Sequence, residues 1–109
     1  VKTGRCIMVY EGHTMTVGSV ALSSDGANLF TGSYDNTARC WDVTSGRCIM
    51  IYEGHTNYVK CVALNADSRF LYTGSEDSEA RRWDVKSGKE IGRYSSYSVE
   101  MPGTGFGSN

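Results

Sequence analysis

Short apolar segments alternate with clusters of turn-forming residues along most of the chain. Val17–Leu22 and Asn28–Ser33 are two such segments, and Ser24, Asp25 and Gly26 lie between them. Asp caps a turn locally and Gly adopts a positive φ without strain, so this spacer predicts a tight turn. Turn residues recur about every 8–12 positions, which leaves no room for a helix. The pattern therefore predicts an all-β chain of short strands.

A period of 42 residues relates these segments to one another. Gly-His-Thr at 12–14 returns at 54–56, Thr-Gly-Ser at 31–33 returns at 73–75, and Trp-Asp-Val at 41–43 returns at 83–85. Residues 1–42 and 43–84 align without a gap and share 25 identical residues. Self-similarity of this extent indicates a duplicated structural unit.

Each unit is predicted to hold four strands. In the first unit they cover Val17–Leu22, Asn28–Ser33, Ala38–Val43 and Arg47–Tyr52. In the second unit they cover Val59–Leu64, Phe70–Ser75, Ala80–Val85 and Lys89–Tyr94. Four short strands in a unit of about 40–45 residues are typical of one blade of a β-propeller.

The repeat also divides the chain into parts. Residues 1–10 match 43–52 and are predicted to be the final strand of a preceding blade, while 11–52 and 53–94 form two full blades. The pattern stops after Tyr94, and residues 95–109 are predicted to be a disordered tail. The first residue is Val1 rather than Met, which favours a processed or excised segment.

Gly-His and Trp-Asp at this spacing resemble the WD-repeat β-propeller family, and the resemblance covers residues 1–94. It implies two four-stranded antiparallel blades of a β-propeller plus one extra N-terminal strand. Propellers of the family have several blades, commonly seven. The resemblance therefore implies that further blades of a parent chain, or self-association, complete the structure.

The resemblance also implies a hydrogen-bonded tetrad in each blade. The family pattern maps onto His13, Thr31, Asp35 and Trp41, and onto His55, Thr73, Asp77 and Trp83. An indole N–H only donates, a Thr hydroxyl donates and accepts, a neutral imidazole does one of each, and a carboxylate accepts. A chain from Trp through Thr and His to Asp therefore leaves no polar group without a partner.

Partners of the family usually dock where the loops before the first strand and between the second and third strands converge. These loop-tip positions are Thr16, Gly18, Tyr34, Tyr58, Lys60 and Glu76. They differ between the two units, whereas the tetrads are identical, as expected for a common scaffold that presents variable recognition loops. We expect Tyr34, Tyr58 and Lys60 to be exposed and the two tyrosines to contribute most to binding.

The resulting prediction is a protein–protein interaction scaffold that binds partner proteins or peptides. The alternative is a phosphopeptide-reading substrate adaptor of a ubiquitin ligase. Phosphate recognition favours bidentate Arg side chains, and Lys60 is the only cation at the six positions. The sequence therefore weakens the alternative.

The composition limits other classes of partner. With 11 Lys+Arg, 12 Asp+Glu and a net charge of -1, the chain lacks the basic surface that nucleic acid or an anionic membrane requires. Four tyrosines could stack on bases, namely Tyr34, Tyr58, Tyr72 and Tyr94, but a basic groove is missing. No apolar run approaches the ~20 residues that span a bilayer. We predict neither a nucleic-acid nor a membrane partner.

The four cysteines, Cys6, Cys40, Cys48 and Cys61, form no Cys-x-x-Cys pair. In a secreted chain they could form disulfides. The simpler interpretation is four free thiols in apolar sites within a reducing compartment, which predicts a cytoplasmic or nuclear protein.

The sequence contains residues that could form a hydrolase triad or a calcium site, and the repeat argues against both. His13 with Ser33 or Thr31 and Asp35 contains the residue types of a hydrolase triad, but the set recurs 42 residues later with a Trp at a fixed offset. An active site has no need of that duplication. The aspartates Asp25, Asp35, Asp67 and Asp77 are spaced too widely for an EF-hand loop. The sequence therefore predicts no enzyme, no cofactor and no metal.

Arg82 departs from the pattern because Cys40 holds its position in the first unit, where the family usually has an apolar residue. Successive strand residues face opposite ways, so Arg82 lies opposite Trp83, on the face toward the neighbouring blade. Two interpretations stay open: the guanidinium extends to the outer rim, or it forms an ion pair or a partner contact. The adjacent Arg81 matches Arg39 and is expected to be unremarkable.

Overall fold

The computed structural model describes residues 4–95, which form eight strands in two four-stranded antiparallel sheets. Blade 1 contains β1 (Val17–Leu22), β2 (Asn28–Ser33), β3 (Thr37–Asp42) and β4 (Cys48–Glu53). Blade 2 contains β5 (Val59–Leu64), β6 (Phe70–Ser75), β7 (Glu79–Asp84) and β8 (Glu90–Ser95). Within each sheet the strands pair in sequence order, and residues 4–95 contain no helix. The all-β prediction is confirmed.

The first two strands of each blade have the predicted bounds, and the other two are displaced by one residue. The third strands start earlier because Asn36 and Ser78, at φ 77° and 72°, complete the preceding turn. The fourth strands start later because the Asp42 amide donates to the Arg47 carbonyl, at 2.8 Å, which places Arg47 in the turn. Sequence patterns locate strands well and their ends less well.

Residues 4–10 do not form the predicted extra strand, because they make no ladder pairing with any of the eight described strands. The segment nevertheless lies on blade 1 as β4 lies on blade 2. The Tyr10 hydroxyl donates to the Val43 carbonyl at 2.9 Å, and the Tyr52 hydroxyl donates to the Val85 carbonyl at the same distance. The predicted tail lies outside the described residues except for Ser95, which ends β8.

The hydrophobic core lies between the two blades. Phe30, Ala38 and Cys40 of blade 1 belong to one buried cluster with residues of blade 2, including Leu71 and Trp83. Strand β5 packs most extensively on the other sheet, against β1, β2 and β3. Burial of apolar surface is the main favourable contribution to folding, so each blade depends on the other for its core.

The two outward faces of the pair are open. On blade 1, Val20 and Leu22 are 60% and 58% exposed. On blade 2, Tyr72 is exposed, although its equivalent in blade 1, Phe30, is fully buried. The stacking of one blade on the next therefore accounts for the difference in burial between equivalent residues.

Candidate functional site

A chain of hydrogen bonds crosses blade 1 from its core to its loops. Trp41 Nε1 donates to Thr31 Oγ1 at 2.8 Å, and that hydroxyl lies 2.6 Å from His13 Nε2. His13 Nδ1 in turn lies 2.8 Å from Asp35 Oδ2. The indole can only donate to the hydroxyl, which leaves the hydroxyl's own hydrogen available for Nε2, and with that bond made the imidazole donates from Nδ1 to the carboxylate.

Blade 2 repeats this arrangement. Trp83 Nε1 donates to Thr73 Oγ1 at 2.9 Å, His55 Nε2 lies 2.7 Å from that oxygen, and His55 Nδ1 lies 2.8 Å from Asp77 Oδ2. The His55 and Asp77 side chains are 1% and 7% exposed. All eight tetrad positions thus come together as two groups of four.

Asp35 accepts more hydrogen bonds than Asp77, its equivalent in blade 2. Its Oδ2 also accepts from the Thr14 amide, and its Oδ1 accepts from both the amide and the hydroxyl of Thr37. Burial opposes the charged carboxylate, but the donors Thr37, His13 and Thr14 outweigh burial and lower the pKa of Asp35 to about 2. The carboxylate therefore stays ionised and links the loop before β1 to the turn after β2.

In blade 2, Glu79 replaces Thr37 and supplies only its amide to Asp77 Oδ1. Burial again opposes ionisation of Asp77, and hydrogen bonds from His55 and the amides of Thr56 and Glu79 still lower its pKa. The carboxylate therefore has the same role in both blades, with one donor fewer in the second.

The tetrads leave no free nucleophile. In blade 1 both imidazole nitrogens of His13 are hydrogen-bonded, and Thr31 is 4% exposed. The Ser33 hydroxyl donates to the Met15 carbonyl and accepts from the Asp35 amide. Since nucleophilic catalysis needs a hydroxyl that a substrate can reach, this geometry favours a structural role for the group.

The loop tips lie close together at the aspartate end of the two tetrads. The Tyr34 amide donates to the Thr16 carbonyl at 2.8 Å, and the Glu76 amide donates to the Tyr58 carbonyl at 2.9 Å. Between the blades, the rings of Tyr34 and Tyr58 are parallel, with centroids 4.3 Å apart and planes inclined by 4°. The stack joins the two sets of loop tips into one surface.

Gly18 and the pair Lys60–Glu76 border this stack. A Cβ atom at Gly18 would lie 3.2 Å from Cε1 of Tyr34, so the missing side chain leaves room for that ring. Lys60 Nζ lies 2.8 Å from Glu76 Oε2, and this bond raises the pKa of Lys60. Both side chains are about half exposed, at 52% and 46%. Tyr58 and Lys60 are exposed as expected, whereas Tyr34 is half-buried, so its predicted exposure is wrong. The other three positions, Thr16, Gly18 and Glu76, are exposed.

Blade 2 contains a group of charged residues that the sequence pattern does not predict. Arg81, expected to be unremarkable, is 5% exposed and donates to Glu79 at 3.0 Å and to Glu90 at 3.1 Å. Arg93 Nε donates to Glu90 at 2.9 Å. The sequence gives one indication of this group, which is that three of its charged residues replace uncharged residues of the first repeat. Blade 1 has Thr37, Cys48 and Ile51 where blade 2 has Glu79, Glu90 and Arg93.

A cavity of about 490 Å³ lies between the blades at the end opposite the loop tips. Its lining includes Phe30, Asp84 and Val85 together with the turn residues Asp25 and Arg69. The carboxylates of Asp25 and Asp84 accept hydrogen bonds from their own turns, through the Ala27 and Ser87 amides. Asp25 therefore has the turn role that the sequence favours, and Asp84 accepts a hydrogen bond from its turn in the same way.

The described residues show no sign of a metal site, a disulfide or a membrane-spanning helix. Within residues 4–95, no group of three or more His, Cys, Asp or Glu is placed to hold a metal ion. The four cysteines are free, and burial raises the pKa of Cys40 to about 11. None of the described residues belongs to a helix that could cross a bilayer.

Comparisons with known proteins are consistent with this geometry. The chain is 43% identical over 44 residues to nuclear distribution protein PAC1 of Arthroderma otae, a match covering 40% of the chain and 10% of that protein. It is 46% identical over 37 residues to WD repeat-containing protein 18 of Homo sapiens, covering 34% of the chain and 9% of that protein. The chain thus spans about a tenth of the length of these relatives.

Solved structures give the same fold. The structure of U3-55K matches with a TM-score of 0.76 and 22% identity, covering 80% of this chain and 28% of that one. The RRP9 WD40 repeats match with a TM-score of 0.75, at the same identity and coverage. At this identity the similarity concerns the fold alone. The sequence model of the family described as WD domain, G-beta repeat matches residues 4–42 and 46–84, well over half of the chain. The chain therefore belongs to the WD-repeat family.

Proposed function

We propose that this chain is part of a protein-interaction scaffold whose loop-tip surface binds a partner protein or peptide. The loop-tip surface consists of Thr16, Gly18, Tyr34, Tyr58, Lys60 and Glu76. Repeats of this family generally mediate protein–protein interaction, and its members are generally non-enzymatic scaffolds. The observation that carries the proposal is the stack of Tyr34 on Tyr58, which makes one aromatic surface from two blades.

The stack suits recognition for a physical reason. Tyr58 is 39% exposed, so its ring offers apolar area and a hydroxyl to a partner. Tyrosine has few rotatable bonds, and stacking restricts these two rings before a partner arrives, which lowers the entropy cost of binding. The ion pair of Lys60 with Glu76 lies at the edge, where charged residues set orientation more than affinity.

The tetrads are proposed to hold this surface rather than to contact the partner. Asp35 fixes the loop that carries Thr16 through the Thr14 amide, and it fixes the turn after Tyr34 through Thr37. Because the tetrads are buried and fully hydrogen-bonded, a change within them alters binding through folding. No enzyme activity, cofactor or metal is part of the proposal.

A phosphopeptide-reading adaptor is the second candidate, and the geometry favours it less. Lys60 is the only cation among the six loop-tip residues, and Glu76 already neutralises it. Nucleic acid and membrane partners are not proposed, because the loop-tip surface carries no net positive charge. With its four thiols free, the protein is proposed to act in the cytoplasm or nucleus.

The test is recovery of a partner on the immobilised chain, followed by the same recovery with two loop-tip variants and one control variant. Tyr58→Ala and Lys60→Glu should reduce the amount of partner recovered, and Tyr94→Ala, which changes an exposed tyrosine away from the loop tips, should not. Phosphatase treatment of the partner separates the two candidates: the scaffold proposal expects no change, and the adaptor expects loss of binding. Equal recovery by all the variants would contradict the proposal.

A further inference from the structure

Two arginines hold equivalent positions in the two blades, and only one of them has charged partners. Arg39 in β3 and Arg81 in β7 are separated by one repeat period. Arg81 Nη2 donates to Glu79 at 3.0 Å, and its Nη1 donates to Glu90 at 3.1 Å. Among residues 4–95, the Arg39 side chain has no hydrogen-bond or ion-pair partner. Blade 1 therefore contains a guanidinium whose usual acceptors are missing.

The two guanidinium groups have the same position relative to their blades. A Cβ atom on Gly12 would lie 3.4 Å from Cζ of Arg39, and one on Gly54 would lie 3.6 Å from Cζ of Arg81. Each glycine thus leaves the space that a guanidinium occupies. Arg39 Cζ also lies 5.9 Å from the centroid of the Trp41 ring. Arg39 is therefore held in the orientation in which Arg81 binds two carboxylates.

An unpaired Nε alone does not mark the site. The Nε atoms of Arg39, Arg81 and Arg82 are all shielded and without a partner among the described residues. The ion pair that the sequence leaves open for Arg82 is not formed within these residues, and its guanidinium carbon lies 5.2 Å from the centroid of the Phe70 ring. Arg39 differs from Arg82 because an equivalent arginine in the same chain shows where its acceptors belong.

Two substitutions account for the missing acceptors of Arg39. Thr37 and Cys48 stand where blade 2 has Glu79 and Glu90. The Thr37 hydroxyl and the Cys48 thiol both donate to other groups of blade 1, at 2.6 Å and 3.6 Å. Both side chains are shorter than glutamate and have no carboxylate. The positions that two carboxylates take beside Arg81 therefore hold no acceptor beside Arg39.

These carboxylate positions stay accessible when a neighbouring sheet is stacked. Arg81 lies on the face of blade 2 that packs on blade 1, the same face as Trp83 of the shared core. The Glu79 and Glu90 side chains on that face are nevertheless 26% and 24% exposed. A ligand can therefore reach the equivalent place in blade 1, with or without a further sheet beside it.

Apolar side chains accompany Arg39 on the same face of blade 1. Ile51 is its Cα partner on β4, and Ile49 lies two residues earlier on that strand. They are 40% and 53% exposed. In blade 2 the place of Ile51 belongs to Arg93, which donates to Glu90. Blade 1 thus presents one cation beside an apolar strip, where blade 2 presents a set of paired charges.

We propose that Arg39, Ile49 and Ile51 form a binding site for an acidic side chain of a partner peptide segment. Arginine keeps its charge at ordinary pH, and Arg39 is half-buried, so an anion beside it is less screened than one on a fully solvated side chain. A carboxylate accepts two parallel hydrogen bonds from a guanidinium. Charge complementarity carries the assignment. The site shares no residue with the loop-tip surface, so the two proposals fail independently.

The probe is the peptide acetyl-Val-Glu-Val-amide, with acetyl-Val-Gln-Val-amide as its uncharged counterpart. Each is added to the whole chain at constant ionic strength, and binding is followed in the NMR signals of the arginine Nε–H groups. The Glu peptide should shift the Arg39 signal with saturation. The Arg81 signal should stay in place, because its guanidinium is already paired. The Gln peptide should bind at least roughly tenfold more weakly.

Cys48→Glu gives blade 1 the carboxylate that blade 2 has, and Cys48→Gln is the matched uncharged control. We expect Cys48→Glu to weaken binding of the Glu peptide about tenfold or more, because the new carboxylate occupies Arg39. Cys48→Gln should bind like wild type. Glu53→Gln removes a β4 carboxylate whose Cα pairs with that of Thr37, and it should change nothing. Tighter binding by Glu53→Gln would mean that Arg39 is already paired in solution, which overturns the proposal.

Other results would overturn it as well. Equal binding of the two peptides would show apolar contact without a carboxylate site. Acetate that binds as tightly as the Glu peptide would indicate a site for small anions rather than for a peptide. In the Arg39→Gln chain, binding is followed at the indole N–H of Trp41 and should be lost. Retained binding there would remove Arg39 from the site.

A stability measurement gives an answer without Arg39→Gln, should that chain fold poorly. In urea unfolding without peptide, Cys48→Glu should be more stable than Cys48→Gln by roughly fivefold or more in the equilibrium constant. The difference should shrink in concentrated salt, as expected for an ion pair. Equal stability of the two chains at low salt would contradict the geometry on which the site rests.

Discussion

The rings of Tyr34 and Tyr58 lie parallel with their centroids 4.3 Å apart, and they belong to different blades. Tyr34 follows β2 of blade 1, and Tyr58 precedes β5 of blade 2. The contact therefore reports how the two sheets are set against each other at the loop-tip end. It also means that either ring depends on the other for its position.

The stack should be measurable as a coupling between the two tyrosines. Aromatic pairs contribute about 0.5–1.5 kcal/mol beyond the area that they bury. We expect Tyr34→Ala and Tyr58→Ala to cost less together than the sum of the single changes, by about that amount. Urea unfolding of the two single variants and the double variant gives the coupling. Strict additivity would mean that the rings do not stack in solution.

Removal of a tetrad histidine should destabilise the fold. In the His55→Ala chain, Asp77 and Thr73 lose a buried partner, which costs roughly 1–3 kcal/mol of the free energy of unfolding. The matched control is Thr56→Ala, an exposed neighbour that binds Asp77 through its backbone amide and so keeps that bond. A His55→Ala chain that unfolds at the same urea concentration as Thr56→Ala would contradict a structural role for the tetrad.

Trp83 is expected to contribute more to stability than Trp41. Trp83 belongs to the core between the blades, whereas Trp41 lies outside that cluster and is in edge contact with Tyr10, in a segment without strand pairing. Truncation of a packed aromatic costs about 3–5 kcal/mol, and less where the surroundings can move. Urea midpoints of Trp83→Ala and Trp41→Ala test the order. A greater loss for Trp41→Ala would mean that residues 4–10 are firmly held.

Asp35 should make stability depend on pH in the acid range. Its pKa is about 2 in the folded chain and about 4 in an unfolded one, so it binds a proton more readily when unfolded. The stabilisation is complete above pH 4 and is lost as the pH falls from about 4 toward about 2. Thr37→Ala removes one hydroxyl donor to Asp35 and should raise its pKa. NMR titration of the carboxyl carbon gives the pKa, and an unchanged value would contradict the assigned hydrogen bond.

The group around Arg81 should be sensitive to the loss of one carboxylate. Glu90→Gln leaves the buried guanidinium with Glu79 as its remaining charged partner, and we expect a loss of about 1–3 kcal/mol. Arg93→Ala removes an exposed partner of the same Glu90 and should cost at most ~1 kcal/mol. Chemical unfolding of both chains at equal ionic strength compares the two, and equal losses would indicate that Arg81 is solvated.

The fold was predictable because the sequence carries its signals directly. Turn residues such as Asp, Asn and Gly, together with the 42-residue period, identify the strands of both blades. The same period locates the tetrads. The contacts between blades were not predictable, because they depend on how sheets stack. The stack of Tyr34 on Tyr58 is one example, and the missing pairing of residues 4–10 is another. Arg81 looked like a simple repeat of Arg39, yet its ion pairs come from substitutions at other positions.

Binding by the loop-tip surface is tested most directly by calorimetric affinities of a recovered partner for three chains: wild type, Tyr58→Ala and Tyr94→Ala. Thermal melts of the same samples separate binding from folding. The proposal predicts that Tyr58→Ala weakens binding by about tenfold or more, as for an interface residue whose truncation costs at least ~1.4 kcal/mol, while Tyr94→Ala binds as wild type. The Tyr58→Ala chain should remain folded at the temperature of the titration. A folded Tyr58→Ala chain that binds with wild-type affinity would contradict the account and place the partner on another surface of the molecule.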